Sequence, residues 1–142
     1  MAKVLVIRIS SFGDVAMLVP VIFSVASKYP QDRFSVMTRK AFAPLFENLG
    51  FNINVLPLDI TGRHKGIPGY FRSKGIRFFM KFTGRKTAYI DKGKKEKKEL
   101  IASKAVDHRL KHTMQRYQDV FDKLGFPAPM VFNNLFDFQI KD

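Results

Sequence analysis

Val4 to Pro20, VLVIRISSFGDVAMLVP, decides the fold. Val4, Leu5, Val6, Ile7 and Ile9 form a short run rich in β-branched residues. Such a run suits a strand of a parallel sheet, buried on both faces. Ser10-Ser11-Phe12-Gly13-Asp14 follows, a small-residue turn that carries an acid. Gly13 allows a sharp turn. Asp14 stands where a helix begins, so its carboxylate is expected to cap free backbone N–H groups. Val15, Leu18, Val19, Ile22, Phe23 and Ala26 supply the apolar face of that helix. Pro20 either kinks the helix or opens its main body, and Tyr29-Pro30 ends it. Sheets that open in this way bind their ligands at the carboxyl ends of the strands. Asp14 is therefore the first candidate for chemistry.

Outward from this unit, Asp32 to Met37 reads as a second strand. A connecting helix is predicted over about Lys40 to Leu49, with Gly50 as the glycine just past its end. Phe51 to Leu58 is a third strand, alternating at Phe51, Ile53 and Val55, and Pro57 marks its end or an edge position. After a loop rich in Gly and positive charge (59–70), the spacing predicts a helix over 71–83 closed by Gly84. A short strand is expected at Thr87 to Ile90, and a helix or a basic segment at 96–103. Arg109 to Leu124 is an amphipathic helix stopped by Gly125-Phe126-Pro127. The apolar tail, 131–142, is expected to dock rather than extend into solvent. Strand and helix alternate, which predicts an α/β domain: a Rossmann-like, mostly parallel sheet with helices on both faces.

A chain of 142 residues is one domain by length and can bury a core. With no Cys it holds no disulfide, thiolate metal site or Cys nucleophile. The formal net charge of +13 predicts affinity for an anion: nucleic acid, an acidic membrane face or a phosphorylated ligand. Part of the excess is local, at Lys92, Lys94, Lys95, Lys97 and Lys98, which is equally the pattern of a solvated surface. Lys3 and Arg8 ahead of the apolar run 15–26, with Val25-Ala26-Ser27 after it, loosely mimic a signal peptide. Asp14 against that run, and the strand before it, argue against one. No apolar run reaches the roughly 20 residues that a membrane-spanning helix needs.

The stretch Arg8-Ile9-Ser10-Ser11-Phe12-Gly13-Asp14-Val15, with Pro20 beyond it, resembles the amino-terminal motif of the ADP-heptose:lipopolysaccharide heptosyltransferases of glycosyltransferase family 9. Thr38-Arg39-Lys40-Ala41-Phe42-Ala43-Pro44-Leu45 resembles that family's second strand and following helix. Leu110-Lys111-His112-Thr113-Met114-Gln115-Arg116-Tyr117 resembles the long helix near the end of its first domain. The resemblance implies the amino-terminal domain of a GT-B fold, two Rossmann-like domains facing a cleft, in an enzyme that transfers heptose with inversion. It implies an acceptor-side domain over 1–129 and a linker or docked tail over 130–142. The donor-binding domain of the family has no counterpart in the sequence. At Tyr70-Phe71-Arg72-Ser73 the chain also departs from the family pattern, as though a helix and strand of roughly thirty residues, one βα unit, were deleted.

Inversion needs a base for the acceptor hydroxyl, and a carboxylate at the mouth of a cleft can serve. The resemblance assigns that role to Asp14, whereas the residues alone favour a helix cap. Arg8 would lie close to an acidic acceptor, or pair with a surface carboxylate. Ser10 suits a ligand contact and Ser11 the turn's own backbone. Arg63, His64 and Lys65, between Gly62 and Gly66, match the family loop that looks towards a sugar-phosphate acceptor, and basic forks suit such groups. His108 and His112 lie four apart but lack the carboxylate of an H-E-x-x-H site, so no metal and no cofactor are expected. The implied partners are a lipopolysaccharide core or lipid A acceptor, ADP-heptose through the second domain, and the inner face of the cytoplasmic membrane. The implied location is cytoplasmic. The rival reading is a basic α/β module binding nucleic acid or acidic lipid without catalysis. Most Phe residues fall at core spacing, which speaks against base stacking and against a specific nucleic-acid partner.

Overall fold

The computed structural model describes residues 1–9, 11–62, 65–66, 84, 86–91, 93, 95, 98 and 111–131. The first strand, β1, spans Lys3–Ile7, and the first helix, α1, spans Phe12–Lys28. Strand β2 covers Arg33–Arg39, a 3-10 helix covers Lys40–Phe46, and β3 covers Ile53–Leu58. The last described helix, α2, is Thr113–Leu124. The sheet is parallel with the order β1-β2-β3. Parallel neighbours need a crossover, and α1 makes the first one.

The register sorts the sheet into two faces. Val4 pairs with Phe34 and Val6 with Val36, and the same two β2 residues pair with Ile53 and Val55. These residues meet Val15, Leu18, Val21, Ile22 and Val25 of α1, Phe46 of the 3-10 helix, and Tyr117 and Phe121 of α2 in one core. Burying each large apolar side chain contributes roughly 1.5–3 kcal/mol before entropy is set against it. The opposite face carries Leu5 and Leu56, both exposed. The predicted helix 71–83, the segment 96–103 apart from Lys98, the seam at 70–73 and most of the apolar tail lie outside the described residues.

Several expectations are corrected. Helix α1 runs from Phe12 through Pro20, so Pro20 lies inside it rather than opening its main body. Its buried face includes Val21 and Val25, while Val19 and Phe23 pack only at its margin. Packing on both sides of Pro20 outweighs its missing hydrogen bond, a loss of roughly 3 kcal/mol in an isolated helix. The predicted helix 40–49 is a 3-10 helix that ends at Phe46, and the left-handed residue that follows is Asn48 at φ 61°, not Gly50. Pro44 lies within it, where an α-helical hydrogen bond has no donor. Strand β2 extends through Thr38 and Arg39, and β3 begins at Ile53. Phe51 is 89% exposed, so the alternating pattern overreached by two residues. Residues 87–90 are irregular rather than a strand, although Ile90 packs against the core.

Helix α2 begins at Thr113, later than the periodicity suggested. His112 sets this start: its Nδ1 accepts from the Met114 N–H at 3.3 Å and its own N–H donates to Gln115 Oε1 at 3.3 Å. Gly125 closes α2 at φ 91°, as expected of the glycine after a helix. The chain then folds back along α1. The Pro127 carbonyl accepts from Lys28 Nζ and the Tyr29 hydroxyl, and the Val131 N–H donates to Ser24 Oγ at 2.9 Å.

The amino end of the sheet is tied by Asn52. Its Nδ2 donates to the carbonyls of Ala26 (2.9 Å), Tyr29 (3.1 Å) and Asp32 (3.1 Å). These include acceptors left open where α1 ends. Asp32 in turn accepts from the Ala2 N–H at 2.7 Å.

Candidate functional site

The carboxyl ends of β1 and β2 meet the first turn of α1, where open α/β sheets bind ligands. Arg8 leaves β1 with its backbone N–H on the Met37 carbonyl, 3.0 Å away, which fixes the strand end against β2. By strand alternation the Arg8 side chain shares a face with Val4 and Val6, towards α1. There its Nη2 donates to Asp14 Oδ2 in an ion pair. The Arg8 side chain is 15% exposed and that of Asp14 36%, so the carboxylate opens to solvent while its partner is mostly covered.

Asp14 therefore does not act as the expected helix cap. Ser11 occupies the N-cap position without a side-chain hydrogen bond, and Asp14 sits within the first turn. The carboxylate faces Arg8 instead of the backbone, and the helix dipole favours its negative charge there. Gly13 also differs from expectation. It is helical, its φ is not positive, and a Cβ on it would meet nothing within 4 Å.

Tyr117 ties the site to α2. Its hydroxyl donates to the Asp14 carbonyl at 2.7 Å across 103 residues of sequence, and Arg8 lies 5.8 Å from its ring centre. Burial pushes the Tyr117 phenol up to about 12, with Arg8 opposing the rise and Asp14 adding to it. The phenol thus remains a proton donor across the neutral range, and the turn bearing Asp14 is held from both sides.

On β2, Thr38 is fully buried and Arg39 ends the strand. The Arg39 guanidinium lies 5.8 Å from the Phe42 ring centre, and Phe42 meets Phe12 edge to face at 5.6 Å. Three buried side-chain polar atoms among the described residues have no hydrogen-bond partner: Arg8 Nε, Thr38 Oγ1 and Arg39 Nε. All three sit at this one end of the sheet. Past β3, the Asp59 carboxylate accepts from Thr61 Oγ1 and the Gly62 N–H, both at 3.0 Å. Those bonds hold its pKa below the usual carboxylate value, the Thr61 hydroxyl contributing most.

Of the residues singled out in the sequence, Arg8 and Asp14 are brought together. Lys65 is exposed in the turn after β3, its backbone N–H donating to the Gly62 carbonyl at 3.1 Å. Ser10, Arg63, His64 and His108 lie outside the described residues. His112 caps α2. The described residues contain no group of three or more His, Cys, Asp or Glu able to hold a metal, and none of their helices is long and apolar enough to cross a membrane. Thr38, Arg39, Phe42 and Tyr117 were not singled out. Tyr117 carries no local signal, because its partner lies a hundred residues upstream. A Thr and an Arg ending a buried strand were the available signal on β2.

No family model matches the sequence, and no curated protein sequence matches it. Solved structures do match. E. coli heptosyltransferase WaaC with ADP aligns over 92% of this chain and 50% of its own, at 18% identity and a TM-score of 0.50. WaaC with ADP-2-deoxy-2-fluoro heptose aligns over 96% of this chain and 52% of its own, at 17% identity and 0.51. A family 9 glycosyl transferase from Veillonella parvula aligns over 87% and 42%, at 16% identity and 0.52. The chain thus spans about half the length of these structures. Its parallel α/β sheet, with Arg8 and Asp14 at the carboxyl end of β1, has the fold of the amino-terminal domain of family 9 glycosyltransferases.

Proposed function

We propose that this chain forms the acceptor side of a heptosyltransferase-like glycosyltransferase, which moves a heptose from ADP-heptose to the inner core of lipopolysaccharide with inversion. The observation that carries the reading is the Arg8–Asp14 pair. An accessible carboxylate stands at the carboxyl end of the first strand, with its backbone pinned by Tyr117. In this reading Asp14 takes the proton of the acceptor hydroxyl as that oxygen bonds to the anomeric carbon. The bond from that carbon to the ADP oxygen breaks on the opposite side, and its electron pair leaves with ADP. Arg8 orients the carboxylate until the acceptor arrives, and then offers its guanidinium to the acceptor's own negative charge.

Ser10 and the basic group Arg63, His64 and Lys65 hold the anionic acceptor, since charge-assisted hydrogen bonds suit phosphate and carboxylate. The net charge of +13 favours the acidic inner face of the cytoplasmic membrane, where such an acceptor is presented. The reaction so drawn calls for no metal. Groups that bind the donor and stabilise the leaving diphosphate come from outside these residues.

The test is a titration of the purified chain with an acidic core-lipid fragment, with ADP-heptose and with short nucleic acids, repeated on Arg63→Ala and Asp14→Ala. Saturable binding of the lipid fragment that weakens in Arg63→Ala supports the reading. Salt-sensitive nucleic-acid binding with no response to the lipid fragment overturns it in favour of a basic binding module.

A further inference from the structure

We propose that the carboxyl end of β2 is an anion subsite, in which the Arg39 guanidinium, steadied on Phe42, receives a phosphate or carboxylate group. Its assignment to the acceptor that Asp14 serves rests on the transfer reading above. The binding of an anionic oxygen group does not.

The first observation is a charge without a counterion. The ion pairs among the described residues are Arg8–Asp14 and Lys111–Asp119. Arg39 belongs to neither, and its Nε is buried without an acceptor. A buried N–H on a cation is costly when it has no acceptor, so an unfilled one calls for a partner. The obvious carboxylate nearby, Asp59, is already engaged by Thr61 and Gly62.

The second observation is the fully buried Thr38 hydroxyl, also without a partner. Ile7 pairs with Met37, so Arg8 and Thr38 are the next residues of adjacent strands and share the face turned to α1. Unpaired Arg8 Nε and Thr38 Oγ1 thus lie at the same sheet end. A single water between them would satisfy both and leave one hydrogen bond to give outward. Water carries no charge, however, and leaves Arg39 uncompensated.

The third observation is orientation. Arg39 lies over the face region of Phe42, which is braced by Phe12 at the start of α1. A guanidinium held against a ring by cation–π attraction loses orientational freedom before a ligand arrives, which suits recognition of flat or tetrahedral oxygen groups. Phe12 is two residues from Asp14, and its ring is exposed. Phe42 and Phe12 thus connect Arg39 to the start of α1.

The test is a ¹⁵N NMR titration of the 142-residue chain, following the Arg39 Nε–H and the Thr38 and Lys40 amides. The probes are sodium phosphate and sodium glucuronate, at ionic strength held constant with sodium chloride. Saturable shifts of Arg39 Nε–H with either anion are expected, and which anion acts separates a phosphate source from a carboxylate one. Affinity falls about tenfold or more in Arg39→Gln, the scale of a lost charge-assisted contact. Asp14→Asn removes the base of the transfer reading yet retains anion binding at Arg39. No saturable shift with either anion, or equal affinity in Arg39→Gln, overturns the subsite. Phosphate binding at Arg39 in a chain that ignores the core-lipid fragment keeps the subsite and sinks the transfer reading.

Discussion

The two ends of the sheet treat their polar groups in opposite ways. At the amino end, Asn52 joins three carbonyls from the end of α1 and the start of β2, and Asp32 takes the N–H of Ala2. At the carboxyl end, Arg8 Nε, Thr38 Oγ1 and Arg39 Nε are buried with no partner. The same strands supply both ends, so the difference does not come from the sheet itself. Fully paired polar groups fix a structure, whereas unpaired ones cost stability unless something outside the fold fills them. The amino end holds the fold together, and the carboxyl end carries the unpaired groups on which the proposed subsite rests.

The contrast breaks most clearly at Asn52. Asn52→Ala strips the shared donor from three carbonyls, of which that of Tyr29 keeps the Asp32 N–H, and is expected to cost about 2–3 kcal/mol, the scale of orphaned buried polar groups. Chemical denaturation measures it, and a loss below about 0.5 kcal/mol would erase the distinction between the two ends.

Tyr117 gives the next largest effect, through pH. Its folded pKa, about 12, lies above the ordinary value of 10.0. Its contribution is therefore fully present below pH 10 and is lost as pH rises towards 12. The difference amounts to on the order of 2 kcal/mol. Denaturation midpoints across pH 9 to 12 should fall more steeply in the native chain than in Tyr117→Phe. Parallel curves would mean that Tyr117 is not held as described.

Thr38 sharpens the contrast by a change of sign. Replacing Asn52 removes satisfied bonds, whereas Thr38→Val removes a hydroxyl that has none. The melting temperature is expected to stay level or rise, with stability changing by no more than about 1 kcal/mol. A clear drop would show that the Thr38 hydroxyl has a structural partner.

Asp14 is expected to give the smallest stability effect. Its side chain is 36% exposed, and ion pairs open to solvent contribute less than about 1 kcal/mol. Asp14→Asn should leave the denaturation midpoint nearly unchanged while altering ligand response. A large loss of stability would make the Arg8–Asp14 pair a structural brace.

Much of the fold was legible because burial leaves a local record. The run Val4 to Ile7, the apolar helix after Phe12 and the glycine stop at Gly125 were each readable from a few adjacent residues. The predicted helix after β2 failed locally: Lys40 to Leu49 has apolar residues at helical spacing, but Pro44 and the short crossover leave only a 3-10 helix. Phe51 misled for a related reason, since alternation continues past the point where the sheet does. At the site, Asp14 was legible from its place after a strand and Arg8 from its place at the strand's end, but the ion pair between these two was not. Carboxylate at a helix start reads as a cap, and only the position of Arg8 across the turn shows where it points.

The sequence by itself determined the kind of architecture. Hydrophobic period and turn chemistry are local properties, and together they specify parallel strands, the helix that follows β1 and an acid at the first strand's end. Tertiary structure alone decided what surrounds that acid. Tyr117 reaches it across 103 residues, and Thr38 lies beside Arg8 only because β1 and β2 pair in one register. Hydrogen bonds and ion pairs act over a few ångströms of space, whatever the separation along the chain, so the chemistry of this site is fixed by packing.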